Sequence, residues 1–335
     1  MKDKRLKMRR FSFLIVLIFY NANAQIAVKR DTVLMGSKFD ITIVADDSIA
    51  AVKNINLMID EIVRIEELIS EWKPSSQVSE INRNAGIKPV KVDKELFDLT
   101  KRALFFSEIT NGAFDISIAA MDKIWRFDDS MQELPSQETL LKAIEKVGYQ
   151  NIELNEIESS IFLKLPGMKI GFGATGKGYA ADRGKHIMQQ LQVKSGIVNA
   201  SGDMATWGVQ PNNKPWRIGI ANPFNPYKSL QILGVNNAAI TTSGDYQKYV
   251  EFNDKRYSHI INPKTGMPAS GLISVTVIGE NAETANGLST SIMVLGYKKG
   301  LELLKNYPNY ACLILTEKGT TKKSKNFNKI LKTLK

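Results

Sequence analysis

The stretch Gly171-Phe-Gly173-Ala-Thr-Gly176-Lys177-Gly178 stands between Met168-Lys-Ile170, which reads as a strand, and a run from Tyr179 to Val193 that reads as a helix. A glycine-rich turn opening a helix lets backbone N–H groups approach a phosphate. It also brings the partial positive charge of the helix end and, here, the full charge of Lys177. Two common motifs nearly claim the stretch. Gly171, Gly173 and Gly176 spell the dinucleotide pattern G-x-G-x-x-G, while Gly171, Gly176 and Lys177 spell a P-loop in which Gly178 stands where Ser or Thr belongs. The dinucleotide pattern fails on context, because its fold opens with the fingerprint and places an acidic residue about 20 residues later. Here the turn follows 170 residues of other sequence and leads to Gly196-Ile-Val-Asn-Ala200. The P-loop fails on chemistry, since the missing hydroxyl is the usual Mg²⁺ ligand. What remains is a diphosphate cradle in some other fold, or glycines that only let a helix pack closely.

Outward from this turn the pattern is mixed. Residues 26–45 read as two strands broken at Met35-Gly36-Ser37, and apolar residues at helical spacing predict helices over 48–72 and 94–109, the second ending at Asn111-Gly112. Further helices are predicted over 135–147, 179–193, 282–295 and 298–305, with short apolar runs and turns between them from Ile152 onward. Helices scattered among many short strands, without a regular βαβ array, predict an α+β fold: mixed sheets with packed helices in a single compact domain with sub-lobes. The single cysteine, Cys312, lies in Tyr310-Ala-Cys-Leu-Ile-Leu315 as an expected buried strand residue and excludes an internal disulfide framework.

The first 24 residues read as a secretory leader: six basic residues by Arg10, an apolar run from Phe11 to Tyr20, then Ala22-Asn-Ala24 before Gln25. That apolar run is too short to span a bilayer. A domain over 25–317 would follow, located in the periplasm or otherwise outside the cytoplasm, touching a membrane only through the leader or a partner. Of the formal +11, the leader carries +5 and residues 318–335 carry +7, so the body is close to neutral at −1. A nucleic-acid protein would spread its basic residues over a folded face; here they sit at the ends, and 318–335 reads as a solvated basic tail.

Five further segments, in order with the glycine turn, carry a resemblance. They are Met35-Gly-Ser37; Ser70-Glu-Trp72-Lys-Pro-Ser-Ser76-Gln-Val-Ser79-Glu-Ile-Asn82; Thr110-Asn-Gly-Ala113-Phe114-Asp115; Tyr257-Ser-His259-Ile-Ile261-Asn-Pro263-Lys-Thr-Gly266; and Ala285-Asn286-Gly-Leu-Ser289-Thr290. From Met35 to about Leu304 the chain resembles the FAD:protein FMN transferases, or ApbE-like flavin transferases. The resemblance implies an extracytoplasmic, Mg²⁺-dependent enzyme that splits FAD, releases AMP and attaches FMN by a phosphoester to a threonine of a target flavoprotein. It implies FAD contacts at Met35, Trp72, Ala113, Phe114, Asp115, Lys177 and Ile261. It implies metal contacts at Ala174, through its carbonyl, and at Asn286, Ser289 and Thr290, with His259 as the base.

These residue types suit that chemistry. A lysine and a hard cation stabilise a diphosphate being cleaved, an imidazole takes a hydroxyl proton near neutral pH, and Trp72 and Phe114 offer flat faces to a ring system. The other histidine, His186, falls inside a predicted helix and is expected to be a surface or core residue. The family pattern has aspartates where this chain has Gly171 and Asn286, which predicts weaker cation binding unless Glu283, Asp203 or Asp245 substitutes. An FAD-binding protein without transfer activity and an FAD hydrolase giving FMN and AMP remain the alternatives.

Overall fold

The computed structural model describes residues 25–127, 130–245, 249–253 and 255–334. The leader read over residues 1–24 lies outside them.

A single antiparallel sheet forms the spine. The chain enters through β1 (Ile26–Leu34) and β2 (Ser37–Ala45), joined at the expected Met35-Gly36 turn, where both residues have positive φ (50° and 65°). Next come α1 (Ser48–Ile69), α2 (Gln77–Arg83), β3 (Val90–Lys91), α3 (Lys94–Ile109), α4 (Gln137–Ala143), β4 (Ile152–Asn155) and β5 (Ser160–Leu163). The glycine turn leads into α5 (Gly176–Gln190), β6 (Ser195–Ala200), β7 (Asp203–Trp207), β8 (Trp216–Ile220), β9 (Gln231–Val235) and β10 (Ala239–Gly244). The chain ends in β11 (Tyr249–Phe252), β12 (Lys255–Ser258), β13 (Leu272–Gly279), α6 (Ala282–Leu304), β14 (Ala311–Thr316), β15 (Thr321–Lys323) and α7 (Phe327–Thr333). The main sheet runs β1-β2-β6-β7-β10-β13-β14-β15, and β3-β5-β4, β8-β9 and β11-β12 make three small ones. The expected α+β class, with mixed sheets and packed helices, is what the chain adopts.

Each face of the spine has its own core. On one, α1, α5 and α6 lay their apolar stripes on the sheet, burying Ile55, Ile62 and Ile65 of α1 and Leu288 and Ile292 of α6 with Phe39, Ile41 and Val275. On the other, the β8-β9 hairpin and α7 cover Ile240, Ile278 and Leu313 with Trp216, Leu233, Phe327 and Ile330. Strand β13 touches both cores and is buried at every position. A third, smaller cluster of Trp125, Leu140, Val250 and Tyr257 forms a lobe of its own.

Two expectations change. Residues 318–335 are not a solvated tail: β15 pairs with β14, and Phe327 of α7 is 1% exposed, because this lysine-rich segment spends its few apolar residues on the second core. Met168-Lys-Ile170 is not a strand; its backbone at Ile170 is held by the Asn82 amide, which accepts from the Ile170 N–H at 2.8 Å and donates to its carbonyl at 3.0 Å. The two predicted C-terminal helices are both present within α6, parted at Gly296, whose φ of 75° and ψ of 176° no helix interior accommodates. Cys312 is a buried strand residue, as expected.

Candidate functional site

Strand β6 turns into β7 through Ser201 and Gly202, both with positive φ (56° and 102°), the geometry of a two-residue hairpin turn. This tight turn places Asp203 at the end of the sheet, beside the last residues of β10. The first turn of α6 arrives at the same place. Its N-terminus is tied down twice: Asn281 accepts from the Thr284 N–H, and the Asp182 carboxylate of α5 accepts from the N–H groups of Ala282 and Glu283, both at 2.9 Å. One turn further on, the Asn286 amide donates to the Asp203 carboxylate at 2.6 Å, and Ser289 and Thr290 lie within reach of the Ser243 hydroxyl at 2.8 and 3.3 Å.

Around this end of the sheet the fold encloses one open cavity of about 340 Å³, within the range of small-molecule sites. Ala113, Phe114, Asp115, Ala174, Lys177, His259, Ile261, Asn286 and Thr290 all line it, although they come from four segments spread over 178 positions of the chain. Three expected residues stand off its wall. Ser289 is fully buried one layer behind, bonded to the lining Ser243. Met35 packs part-buried against the main core near the start of α5, its N–H held by Glu66 at 3.1 Å. Trp72 points outward, 70% exposed, with the Lys123 ammonium 4.4 Å over its ring. His186 lies on the exposed face of α5.

The glycines of the turn do different jobs. None of them has positive φ, so where the fold requires glycine it does so for want of space rather than for backbone freedom. A Cβ at Gly176 would come within 2.8 Å of Ile69, and one at Gly178 within 2.6 Å of the Ala282 carbonyl oxygen, where α5 crosses the start of α6. Only Gly173 is open, with nothing within 4 Å of such an atom and its backbone on the cavity. Lys177, half-buried on the wall, supplies the charge.

Electrostatically the site is set by burial. Asp203 is pushed up to about 7 by burial, with the Lys177 charge and the Asn286 hydrogen bond pulling back only in part. Asp115 is also raised by burial, yet both its oxygens are committed: one accepts from the Ser117 N–H and hydroxyl, at 2.8 and 2.6 Å, and the other from the Tyr149 N–H at 2.8 Å. Its carboxylate therefore braces the loop carrying Ala113 and Phe114. His259 is exposed at the mouth, edge-on to Phe127 with ring centres 6.4 Å apart, and belongs to the loop that the third cluster anchors through the Trp125 indole bond to the Gly266 carbonyl at 2.8 Å.

Of the three acids that could replace the missing carboxylates, only Asp203 reaches the cavity. Glu283 is engaged by Arg102 at 2.7 Å, and Asp245 lies off the wall. A third cavity carboxylate, Glu71, was not expected. Thr242 and Ser243 at the end of β10 also line the site, without a motif that would have exposed them. For a hard cation the donors present are suitable: the Asn286 side-chain oxygen, the Thr290 hydroxyl 3.4 Å from it, the Ala174 carbonyl, and the Asp203 carboxylate one hydrogen bond behind. Oxygen-only donors with few carboxylates suit Mg²⁺, which keeps several waters. Among the described residues no cluster of three or more His, Cys, Asp or Glu side chains could hold a metal by itself.

An antiparallel α+β frame with a lysine on a helix-opening turn, a set of oxygen donors and a histidine at the mouth of one cavity defines a protein that handles a phosphorylated small molecule. Residues 35–314 match the model of the ApbE family, so the chain belongs to the ApbE family. It is 32% identical over 287 residues to the FAD:protein FMN transferase of Klebsiella pneumoniae, covering 85% of this chain and 88% of that one. The enzyme of the same name from Haemophilus influenzae is 30% identical over 311 residues, covering 89% and 90%. Among solved structures, the ApbE protein of Thermotoga maritima superposes with a TM-score of 0.82 at 30% identity, covering 91% of this chain and 99% of that one. The apo flavinyl transferase ApbE of Pseudomonas stutzeri gives 0.80 at 25%, covering 92% and 97%.

Proposed function

We propose that this chain transfers FMN from FAD to a threonine hydroxyl of a target flavoprotein, releasing AMP. The observation that carries this is the convergence of Lys177, the Asn286 and Thr290 oxygens and His259 on one cavity from distant segments. In this reading the acceptor hydroxyl oxygen attacks the phosphorus on the FMN side of the diphosphate. The bond from that phosphorus to the bridging oxygen breaks, the bridging oxygen leaves with AMP, and the hydroxyl proton passes to the His259 imidazole. Exposure of His259 at the mouth leaves it reachable by a protein loop. Lys177 and the first turn of α5 face the charge that builds on the diphosphate. A Mg²⁺ held by Asn286, Thr290 and the Ala174 carbonyl would supply further positive charge to the same oxygens. The exposed Trp72 offers a face for one of the rings of FAD, while Phe114, 2% exposed and packed against Phe106, shapes the cavity wall from within the core.

The leader of residues 1–24 supports export, which would put both enzyme and acceptor outside the cytoplasm; among the described residues no helix is long and apolar enough to cross a membrane. Incubation with FAD, Mg²⁺ and a candidate acceptor tests the function. Flavin fluorescence should stay on the acceptor band in a denaturing gel and disappear with EDTA or with His259→Ala. Free FMN beside an unlabelled acceptor would make the chain a hydrolase instead.

A further inference from the structure

Glu71 lies two residues beyond Ile69, the last residue of α1, and its turn is fastened to the next helix: the Ser76 hydroxyl donates to the Ser70 carbonyl at 2.5 Å and the Ser79 hydroxyl to the Glu71 carbonyl at 3.3 Å. So held, the side chain runs inward while Trp72 runs out. Its carboxylate lies over Gly171. A Cβ built there would sit 1.8 Å from Glu71 Oε2, 2.8 Å from Cδ and 3.1 Å from the Ala119 methyl. Since Gly171 has an ordinary φ, the backbone does not call for glycine; the space does. The Gly171 N–H bonded to the Ile116 carbonyl at 3.0 Å and the Asn82 clamp on Ile170 hold the floor beneath the carboxylate rigid.

The carboxylate itself is not used by the fold. It lines the cavity, burial raises its pKa, and it accepts no hydrogen bond among the described residues; Lys169 and Lys123 act on it only through charge. A part-buried carboxylate on a cavity wall, with no protein donor of its own among the described residues, is suited to a ligand that supplies one. A phosphate would be repelled there. The complementary group is a hydrogen-bond donor, a hydroxyl or an N–H.

We propose that Glu71 is a substrate-positioning residue whose carboxylate accepts a hydrogen bond from a hydroxyl or N–H of FAD, delivered to a place that a side chain at position 171 would otherwise fill. This rests on FAD being the cavity's ligand. The test is equilibrium binding of FAD, FMN and ADP by calorimetry to the full chain and to the variants Glu71→Gln, Glu71→Ala, Gly171→Asp and the double variant Glu71→Gly with Gly171→Asp, with a thermal melt of each.

Glu71→Ala should weaken FAD binding about tenfold or more, the scale of a lost hydrogen bond to a charged group, with the melting temperature unchanged or raised. Glu71→Gln, of the same size, should weaken it less. Gly171→Asp should lose FAD binding because two carboxylates compete for one place, and the double variant should recover to within about threefold of wild type. Weakening of FMN alone or of ADP alone shows which half of FAD bears the donor. If wild type binds FAD and Glu71→Ala binds it equally well, the proposal is overturned. It is overturned likewise if Glu71→Ala lowers the melting temperature as a structural brace would, or if the double variant binds no better than the worse single one. Failure of the wild-type chain to bind FAD would instead remove the site's ligand, and the proposal with it.

Discussion

The places of Lys177 and His259 on the cavity were legible in the sequence because the first stands in the glycine turn and the second is the one of two histidines in a turn-like segment. The glycines beside Lys177 were not, since a letter pattern cannot separate a glycine that faces a ligand from one that lets two helices touch. Gly173 belongs to the first kind and Gly178 to the second. Gly178→Ala would set a methyl 2.6 Å from the Ala282 carbonyl and should lower the free energy of unfolding by about 1–3 kcal/mol in urea denaturation. Gly173→Ala should leave stability within about 0.5 kcal/mol while weakening FAD binding, because its new methyl meets only the cavity. Equal effects of the two on stability would contradict this division. Glu71 escaped the sequence for a related reason: its partner is a missing side chain 100 positions away.

At the scale of elements, long amphipathic helices were read nearly to the residue, and α3 matches its expected span from Lys94 to Ile109. Short elements were not. Helix α2 is seven residues long and offers only Val78 and Ile81 as apolar anchors. Residues 318–335 hid α7 behind seven lysines, though Phe327, Ile330 and Leu334 lie at helical spacing and all three are buried. That helix is a lid on the second core, not an appendage. Phe327→Ala should therefore cost about 3–5 kcal/mol of unfolding free energy, read from the denaturation midpoint at constant slope; a loss below about 1 kcal/mol would return the segment to the status of a tail.

For the whole molecule, the fold class could be read because alternation and helical spacing report which faces are apolar. The sheet order could not, because pairings such as β2 with β6, about 155 positions apart in sequence, leave no local trace. The assembled fold has a pH signature. Asp203 is pushed up to about 7, and Asp182 and Asp245 to about 6, in each case chiefly by burial. Between an unfolded carboxyl pKa of about 3.9 and these values, the native state holds protons that the unfolded chain has lost, so stability falls as pH rises through that window. Carboxylates held low by basic partners, such as Glu61 and Glu156, act with the opposite sign, but only below about pH 4.5. In metal-free and FAD-free buffer the melting temperature should be higher at pH 5 than at pH 8, and Asp203→Asn should flatten the difference. A melting temperature that rises over this range would contradict the burial of these acids.

The central claim is transfer of FMN, and mass spectrometry of an acceptor flavoprotein after incubation with FAD and Mg²⁺, with AMP quantified in the same reaction, tests it most directly. One FMN esterified to a threonine for each AMP released, and neither product with His259→Ala, is the predicted result. FAD bound with no AMP released, or AMP and free FMN released beside an unmodified acceptor, would contradict it.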